Sequence, residues 1–122
     1  MAKSLRIAAF ASVALCMTAS FASAAPLLMS SIPAANSSGQ APKSIRLNFN
    51  ESVDARQTTV AVTDAAGKAL GTGKISNNST NSKQLIVPIE GGVPAGKYSV
   101  SWHTVGSRAD KGEGMLAFEV KQ

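Results

Sequence analysis

The sequence predicts an all-β protein folded as a seven-stranded antiparallel β-sandwich with Greek-key connections. Three observations indicate this class: polar and apolar residues alternate in short runs, turn residues separate the runs, and no convincing amphipathic helix occurs. Parallel strands need crossover helices, for which the chain has no room. The predicted strands are residues 27–32, 44–49, 58–63, 70–75, 84–89, 97–105 and 116–120.

The N-terminal strands differ in how strongly their patterns predict them. The apolar run 27–32 is closed by a Pro-Ala-Ala-Asn turn, and a polar loop follows it. Residues 44–49 alternate polar and apolar side chains strictly, as expected for a strand with one buried face. Residues 58–63 are β-branched at alternate positions. Two glycines weaken the pattern of 70–75, and residues 77–82 read as a polar loop.

The C-terminal strands carry the aromatic residues of the predicted core. Trp102 shares its strand face with Tyr98, and Phe118 alternates in phase with its aliphatic neighbours. We expect Phe49, Trp102 and Phe118 to fill the core. Tyr98 follows a Pro-Ala-Gly turn at the start of its strand, where sandwiches of this kind place a tyrosine corner with its hydroxyl bound to the backbone.

The first 24 residues are predicted to be a secretory signal peptide. A basic start precedes the apolar run 7–17, and Ala22-Ser23-Ala24 supplies a small-x-small cleavage site. The run is too short to span a bilayer, and no second run follows it. We therefore expect one exported domain of residues 25–122 without a membrane span, in which Ala25 provides a free α-amine; the signal does not distinguish a periplasmic from an extracellular destination.

Composition excludes several function classes for this domain. The only cysteine of the chain, Cys16, lies in the predicted leader, so no disulfide or thiolate metal site is expected in the domain. Loss of the leader leaves ten Lys/Arg against seven Asp/Glu, a net charge of +3. The basic residues are scattered and not interleaved with aromatics, which argues against a nucleic-acid partner.

Catalysis has little support in the sequence. No Gly-x-Ser-x-Gly elbow occurs. His103 is the sole histidine, and a small hydrolase would need a serine and a carboxylate placed around it. We expect no enzymatic activity.

Several residues are candidates for a metal site. His103 follows Trp102 directly and so points to the opposite, outer face of the sheet, where a plain surface role is the simplest interpretation. A functional interpretation makes it a ligand, but one imidazole needs partners. Amine, imidazole and carboxylate suit Cu(II), whereas thioether suits Cu(I). The candidate ligands are Ala25, Met29, His103, Asp110 and Met115, with Glu113 as a further carboxylate. Met115 has parity opposite to that of Leu116 and Phe118, so we expect it to face outward.

Several segments together carry a family resemblance. The opening segments are Ala25-Pro26, Ser30-Ser31-Ile32-Pro33-Ala34 and Ile45-Arg46-Leu47-Asn48-Phe49-Asn50-Glu51. The closing segments are Gln84-Leu85-Ile86-Val87-Pro88, Pro94-Ala95-Gly96-Lys97-Tyr98-Ser99-Val100-Ser101-Trp102-His103 and Gly114-Met115-Leu116-Ala117-Phe118-Glu119-Val120. Across essentially all of the mature chain they resemble the CopC/YobA family of periplasmic copper-binding proteins. The resemblance implies an immunoglobulin-like seven-strand sandwich.

The resemblance also implies copper as the bound metal, but the usual ligands are substituted. The family's Cu(II) tripod uses an N-terminal His and an Asp-x-His segment. Here Ala25 and Arg108-Ala109-Asp110 stand at those places, so both imidazoles are missing and Arg108 adds a repelling charge. The family's Met-rich Cu(I) loop is absent, since no Met lies between Thr63 and Lys83. We therefore expect weak Cu(II) binding.

Two functions remain open at this point. The first is non-catalytic copper handling beside an inner-membrane copper transporter, the partner that the resemblance implies. The second is a metal-free interaction module that docks to another envelope protein through a sheet edge or loop. If Ala25, His103, Asp110 and Met115 lie near one another, a metal site remains possible. If His103 and Met115 lie far from Ala25, the interaction module is favoured.

Overall fold

A computed structural model describes residues 25–121 as two stacked β-sheets. The predicted leader, residues 1–24, and the C-terminal residue lie outside the described residues. The elements in chain order are β1 (Leu28–Ile32), β2 (Ser38–Gly39), β3 (Ser44–Phe49), a 3-10 turn (Ala55–Gln57), β4 (Thr59–Asp64), β5 (Ser76–Asn78), β6 (Asn81–Pro88), β7 (Gly96–Val105) and β8 (Lys111–Val120).

The predicted β-sandwich is confirmed, and its two sheets each contain four strands. Sheet 1 has the order β1-β3-β6-β5, and sheet 2 has the order β2-β8-β7-β4. The chain crosses between the sheets after β1, β2, β3, β4 and β6, so neighbours in a sheet are often distant in sequence. The long β7–β8 hairpin pairs Gly96 with Val120 at one end and Val105 with Lys111 at the other.

The core lies between the sheets and contains the aromatic residues expected from the sequence. Phe49, Trp102 and Phe118 are all buried. The Phe49 and Trp102 rings meet edge to face with centroids 6.2 Å apart, which joins sheet 1 to sheet 2. Tyr98 stacks on Phe118 at 5.6 Å. Fully buried Ile45, Leu47 and other aliphatic residues complete one continuous apolar cluster.

The predicted tyrosine corner is present. The Tyr98 hydroxyl donates to the Pro94 carbonyl oxygen at 2.6 Å while the ring stays buried. The turn that precedes β7 is therefore tied to the core by one side chain that satisfies both an apolar and a polar requirement.

Three details of the strand prediction were wrong. Residues 70–75 form no strand and contain one isolated bridge, between Thr72 and Ile89, since two glycines offer few side chains for packing. The fourth strand of sheet 1 is the polar segment β5 instead. The short β2 adds an eighth strand and pairs with β8 in parallel, so the sandwich is not purely antiparallel. β8 begins at Lys111 and not at residue 116, because pairing with β7 extends the strand beyond the alternating apolar residues.

Among residues 25–121, the structure shows no helix of the length and apolarity that crossing a bilayer requires.

Candidate metal centre

The candidate ligands fall mainly in two places on sheet 2. We call Ala25, Glu51 and Asp110 the hairpin end, because they surround the tip of the β7–β8 hairpin. We call His103, Glu113 and Met115 the outer triad, because they lie on the solvent face of the same hairpin. The two places lie on opposite faces of the sheet and are offset along the strands by about 10 Å, given three residues at about 3.3 Å each.

Pro26 anchors the start of the domain against the hairpin. It is buried, and a Cβ at Gly106 would come within 2.9 Å of its Cγ. A Cβ at Gly112 would come within 2.7 Å of its carbonyl oxygen. Both positions therefore need glycine for this close approach. As a result Ala25, one residue earlier, lies beside the hairpin tip on its inner face.

The segment after β3 carries Glu51 to the same place. Asn50 and Leu27 bind each other twice: the Leu27 N–H donates to Asn50 Oδ1 at 2.9 Å, and the Asn50 N–H donates to the Leu27 carbonyl at 3.0 Å. Val53 forms a bridge to Gly106, and the Asp54 N–H donates to the Val105 carbonyl at 2.9 Å. Glu51 is thus fixed between the start of the domain and the hairpin.

Glu51 is the site residue that the sequence analysis missed. Its Oε1 atom is buried, has no hydrogen-bond partner among the described residues, and lies where a Cβ of Gly106 would be. A carboxylate oxygen removed from water without a partner is costly, so it invites a cation or a proton donor. Alternation from buried Phe49 would have indicated it, since residue 51 has the same inward phase.

Asp110 faces the same side of the hairpin. Its carbonyl accepts from the Gly106 N–H at 2.8 Å, so the two residues form the last pair before the turn. Strand alternation puts Asp110 on the face of Gly106 and Gly112, and it is half-buried. Exposed Arg108 occupies the turn two residues earlier. The hairpin end therefore has two carboxylates, one nearby cation and the first residue of the predicted mature chain.

The turn that follows Glu51 is held by Asp54. The Asp54 carboxylate accepts from Gln57 Nε2 at 3.0 Å and from the Arg56 N–H at 2.9 Å. These bonds, with that of Gln57 the larger cause, hold the pKa of Asp54 below its ordinary value. The group therefore stays ionised at neutral pH and keeps the 3-10 turn capped.

The outer triad occupies consecutive outward positions of the hairpin. His103 lies directly opposite Glu113, and Met115 lies opposite Ser101. His103 Nδ1 is 3.3 Å from Glu113 Oε2, with the two side chains 70% and 75% exposed. Met115 is also 70% exposed, as predicted from its parity, which is opposite to that of buried Leu116. All three residues line one shallow surface depression.

Met29 lies apart from both places. It is the bulge residue of β1, between the paired residues Leu28 and Ser30, at the edge of sheet 1, and it is 68% exposed. The structure therefore places the segment that begins at Ala25 near the hairpin tip that carries Asp110, puts His103 and Met115 in one surface depression, and leaves Met29 apart from both. Within residues 25–121, no three His, Cys, Asp or Glu side chains come close enough to form a metal cluster of their own.

A hydrolytic centre around His103 has no geometric support in the described part of the chain. The partner of His103 is Glu113, and no hydrogen bond between a serine and His103 occurs among residues 25–121. Its position on an open sheet face also offers no cleft that would exclude water.

Fold and donor residues together define an immunoglobulin-like sandwich with a carboxylate-lined end. Residues 28–121 match the model of the CopC domain, and the chain belongs to this family. It is 36% identical over 90 residues to protein YobA of Escherichia coli K12, an alignment that covers 73% of each chain. It is 32% identical over 107 residues to copper resistance protein C of Escherichia coli, covering 82% of this chain and 84% of the relative.

Solved structures agree with this assignment. The crystal structure of PcoC, a methionine-rich copper resistance protein from Escherichia coli, superimposes with a TM-score of 0.73 at 28% identity, covering 80% of this chain and 100% of PcoC. The present chain has four methionines, of which two lie in the predicted leader. It therefore shares the fold of PcoC while carrying few thioethers in the described domain.

Proposed function

We propose that the protein is an exported, periplasmic copper-handling protein without catalytic activity, which binds Cu(II) weakly at the hairpin end. In this proposal it passes copper to an inner-membrane copper transporter. Membership of the CopC family and relatives named copper resistance proteins support the copper role. The donor residues at the hairpin end support this location for the metal.

The observation that carries this proposal is the convergence at the hairpin end. Pro26 packs on Gly106 and Gly112, so the segment that begins at Ala25 reaches the same end of the hairpin as the Glu51 Oε1 atom, which has no partner among the described residues. Half-buried Asp110 lies at the tip of that hairpin. Once the leader is removed, this end contains an α-amine and two carboxylates. Nitrogen and oxygen donors of this kind suit Cu(II), and the two carboxylates offset the charge of the ion.

Weak binding follows from the same residues. The hairpin end has no imidazole, and the guanidinium of Arg108 lies in the adjoining turn. Pro26 has no backbone N–H, so a chelate of the terminal amine with the next amide nitrogen cannot form. The site is therefore limited to one nitrogen and the carboxylate oxygens.

A Cu(II) titration of the exported protein tests the proposal. The N-terminus is first verified by mass spectrometry, and binding is then followed at neutral pH against weak and moderate chelators. We expect one weakly held Cu(II), and we expect Glu51→Gln and Asp110→Asn each to lower its affinity by about tenfold, or about 1.4 kcal/mol. Glu90→Gln, which changes an exposed carboxylate just after β6 of sheet 1, is the matched control.

Two results would contradict the proposal. Binding that resists a moderate chelator would show that the hairpin end is not the weak site described. Equal affinities for the Glu51→Gln, Asp110→Asn and control proteins would place the copper elsewhere.

A metal-free interaction module is the second candidate, and two observations favour it. The first is that His103 and Met115 lie on the opposite face of sheet 2 from the hairpin end that contains Ala25. The second is an exposed apolar edge. Edge strand β1 and the residue before it expose three large apolar side chains: Leu27 at 61%, Met29 at 68% and Ile32 at 59%. An exposed apolar edge is a template for pairing with another chain. A photo-crosslinker at position 29, with position 90 as control, should capture one envelope protein in copper-free cells. Absence of a position-29-specific product would contradict the module.

A further inference from the structure

The outer triad has the donors of a second copper site that is separate from the hairpin end. We propose that His103 and Met115 bind Cu(I) on the outer face of sheet 2, and that Glu113 orients the imidazole. This inference rests on the proposed copper function and adds to it a second location and the other oxidation state.

The strand register brings the two ligands within reach of one ion. His103 is opposite Glu113, and Met115 is two residues further along β8, so His103 and Met115 are diagonal neighbours across the hairpin. Diagonal positions are about 7–8 Å apart, a separation that long side chains bridge. Met has three rotatable bonds, which allow its sulfur to approach the imidazole. Both residues line the same surface depression.

Glu113 provides the orientation of the ring. Its Oε2 lies 3.3 Å from His103 Nδ1, which leaves Nε2 directed away from the carboxylate and free to bind a metal. Metal-binding histidines generally donate their second ring nitrogen to a carboxylate or a carbonyl group, and this contact fixes the ring. Glu113 is therefore a positioning residue in the proposed site.

His103, Glu113 and Met115 contribute little to the stability of the fold. A contact between side chains that are 70% and 75% exposed contributes little to the free energy of unfolding. A methionine that is 70% exposed leaves most of its apolar surface in water. The next outward neighbours along the sheet are small, with Ser101 opposite Met115 and Ala61 opposite Ser101, so the thioether stays open to solvent.

The donor chemistry separates the two sites. Imidazole nitrogen and thioether sulfur are ligands that Cu(I) accepts well, whereas the amine and carboxylates of the hairpin end favour Cu(II). Lys111 lies on the same outer face, two residues before Glu113, and balances its charge. A nearly neutral N/S site is better matched to a monovalent soft ion than to a divalent one.

The test is an anaerobic Cu(I) titration of the exported protein against a chromophoric Cu(I) chelator. The background carries Glu51→Gln and Asp110→Asn, so that the hairpin end does not contribute. We expect one Cu(I) per chain, and we expect Met115→Leu and His103→Gln each to weaken binding by about tenfold or more. Met29→Leu, an equally exposed methionine on the other sheet, is the matched control and should leave affinity unchanged.

Glu113 is tested by a pair of variants. Glu113→Gln should weaken Cu(I) binding, whereas Glu113→Asp should restore most of it, which a purely structural contact on an exposed face would not do. Since all three side chains are exposed, unfolding midpoints measured in parallel should not change.

Specific outcomes overturn the inference. If Met115→Leu binds Cu(I) as tightly as its background, or if Met29→Leu weakens binding equally, the outer triad is not the site. Cu(I) binding that depends on Met115 would stand even if the Cu(II) titration fails at the hairpin end, because the background variants remove that end. Conversely, Cu(II) binding at the hairpin end with no bound Cu(I) would overturn this inference alone.

Discussion

The hairpin end and the outer triad occupy opposite faces of the same two strands, and they differ in what holds them. At the hairpin end, Pro26 and Glu51 press against glycines, and backbone hydrogen bonds fix the segments that carry them. At the outer triad, one contact joins two highly exposed side chains. The hairpin end is therefore part of the packing of the sandwich. Substitutions in the outer triad are expected to leave the fold unchanged.

The largest effect should come from rebuilding the ligands that the family resemblance implies at the hairpin end. The combined change Ala25→His, Arg108→Asp and Asp110→His adds two imidazoles and replaces a cation with a carboxylate. We expect Cu(II) affinity to rise by about 10³-fold, or about 4 kcal/mol. Competition against a moderate chelator measures the change.

The control for this rebuilding is the same kind of substitution on the outer face. Thr59→His places a second imidazole beside His103, since Thr59 is its partner on β4, but leaves the hairpin end unaltered. An equal gain in Cu(II) affinity from this variant would show that the hairpin end has no special ability to form a Cu(II) site.

A smaller effect is expected from filling the space that Gly106 leaves at the hairpin end. Gly106→Ala should lower the free energy of unfolding by about 1–3 kcal/mol, because its Cβ would meet Glu51 Oε1 and Pro26. Denaturant unfolding measures the loss. Gly39→Ala is the control, because its Cβ would meet no atom within 4 Å. If both variants are equally stable, the hairpin end is not tightly packed.

The smallest effect should follow from removing the contact between His103 and Glu113 in the outer triad. His103→Gln and Glu113→Gln should each change the free energy of unfolding by no more than about 0.5 kcal/mol, because exposed pairs contribute little. Thermal or denaturant unfolding at neutral pH measures it. A loss of several kcal/mol would mean that this face is structural and would remove the contrast between the two places.

The comparison also explains which site residues the sequence pattern could predict. Parity alone put His103 and Met115 outside and Trp102 inside, and the structure agrees. The sequence pattern does not single out Glu51, although it has the same inward phase as Phe49. An acidic residue just after a strand is usually part of a solvent-exposed turn. Its buried position depends on Pro26 and Gly106, which are 25 and 55 residues away in the chain.

Strand boundaries also differ in how far the local sequence pattern predicts them. The strict alternation of β3 predicted its limits at both ends, since a strand with one buried face has a period of two. The polar segment β5 has no such pattern, and it is a strand because β6 offers it an edge with which to pair. Likewise β2 exists as a strand because Ser38 and Gly39 meet the edge of β8.

The local sequence pattern is enough to predict the all-β class, the aromatic core and the tyrosine corner. It also predicts which side chains point inward and which point outward along the strongly alternating strands. These follow from side-chain periodicity and turn chemistry, which act over a few residues. The folded chain sets two further features: Pro26 and Glu51 pack against Gly106 at the hairpin tip, and Met29 and Met115 lie on different sheets. The reason is that strand order and register join residues that are far apart in the chain, and no short-range pattern records that pairing.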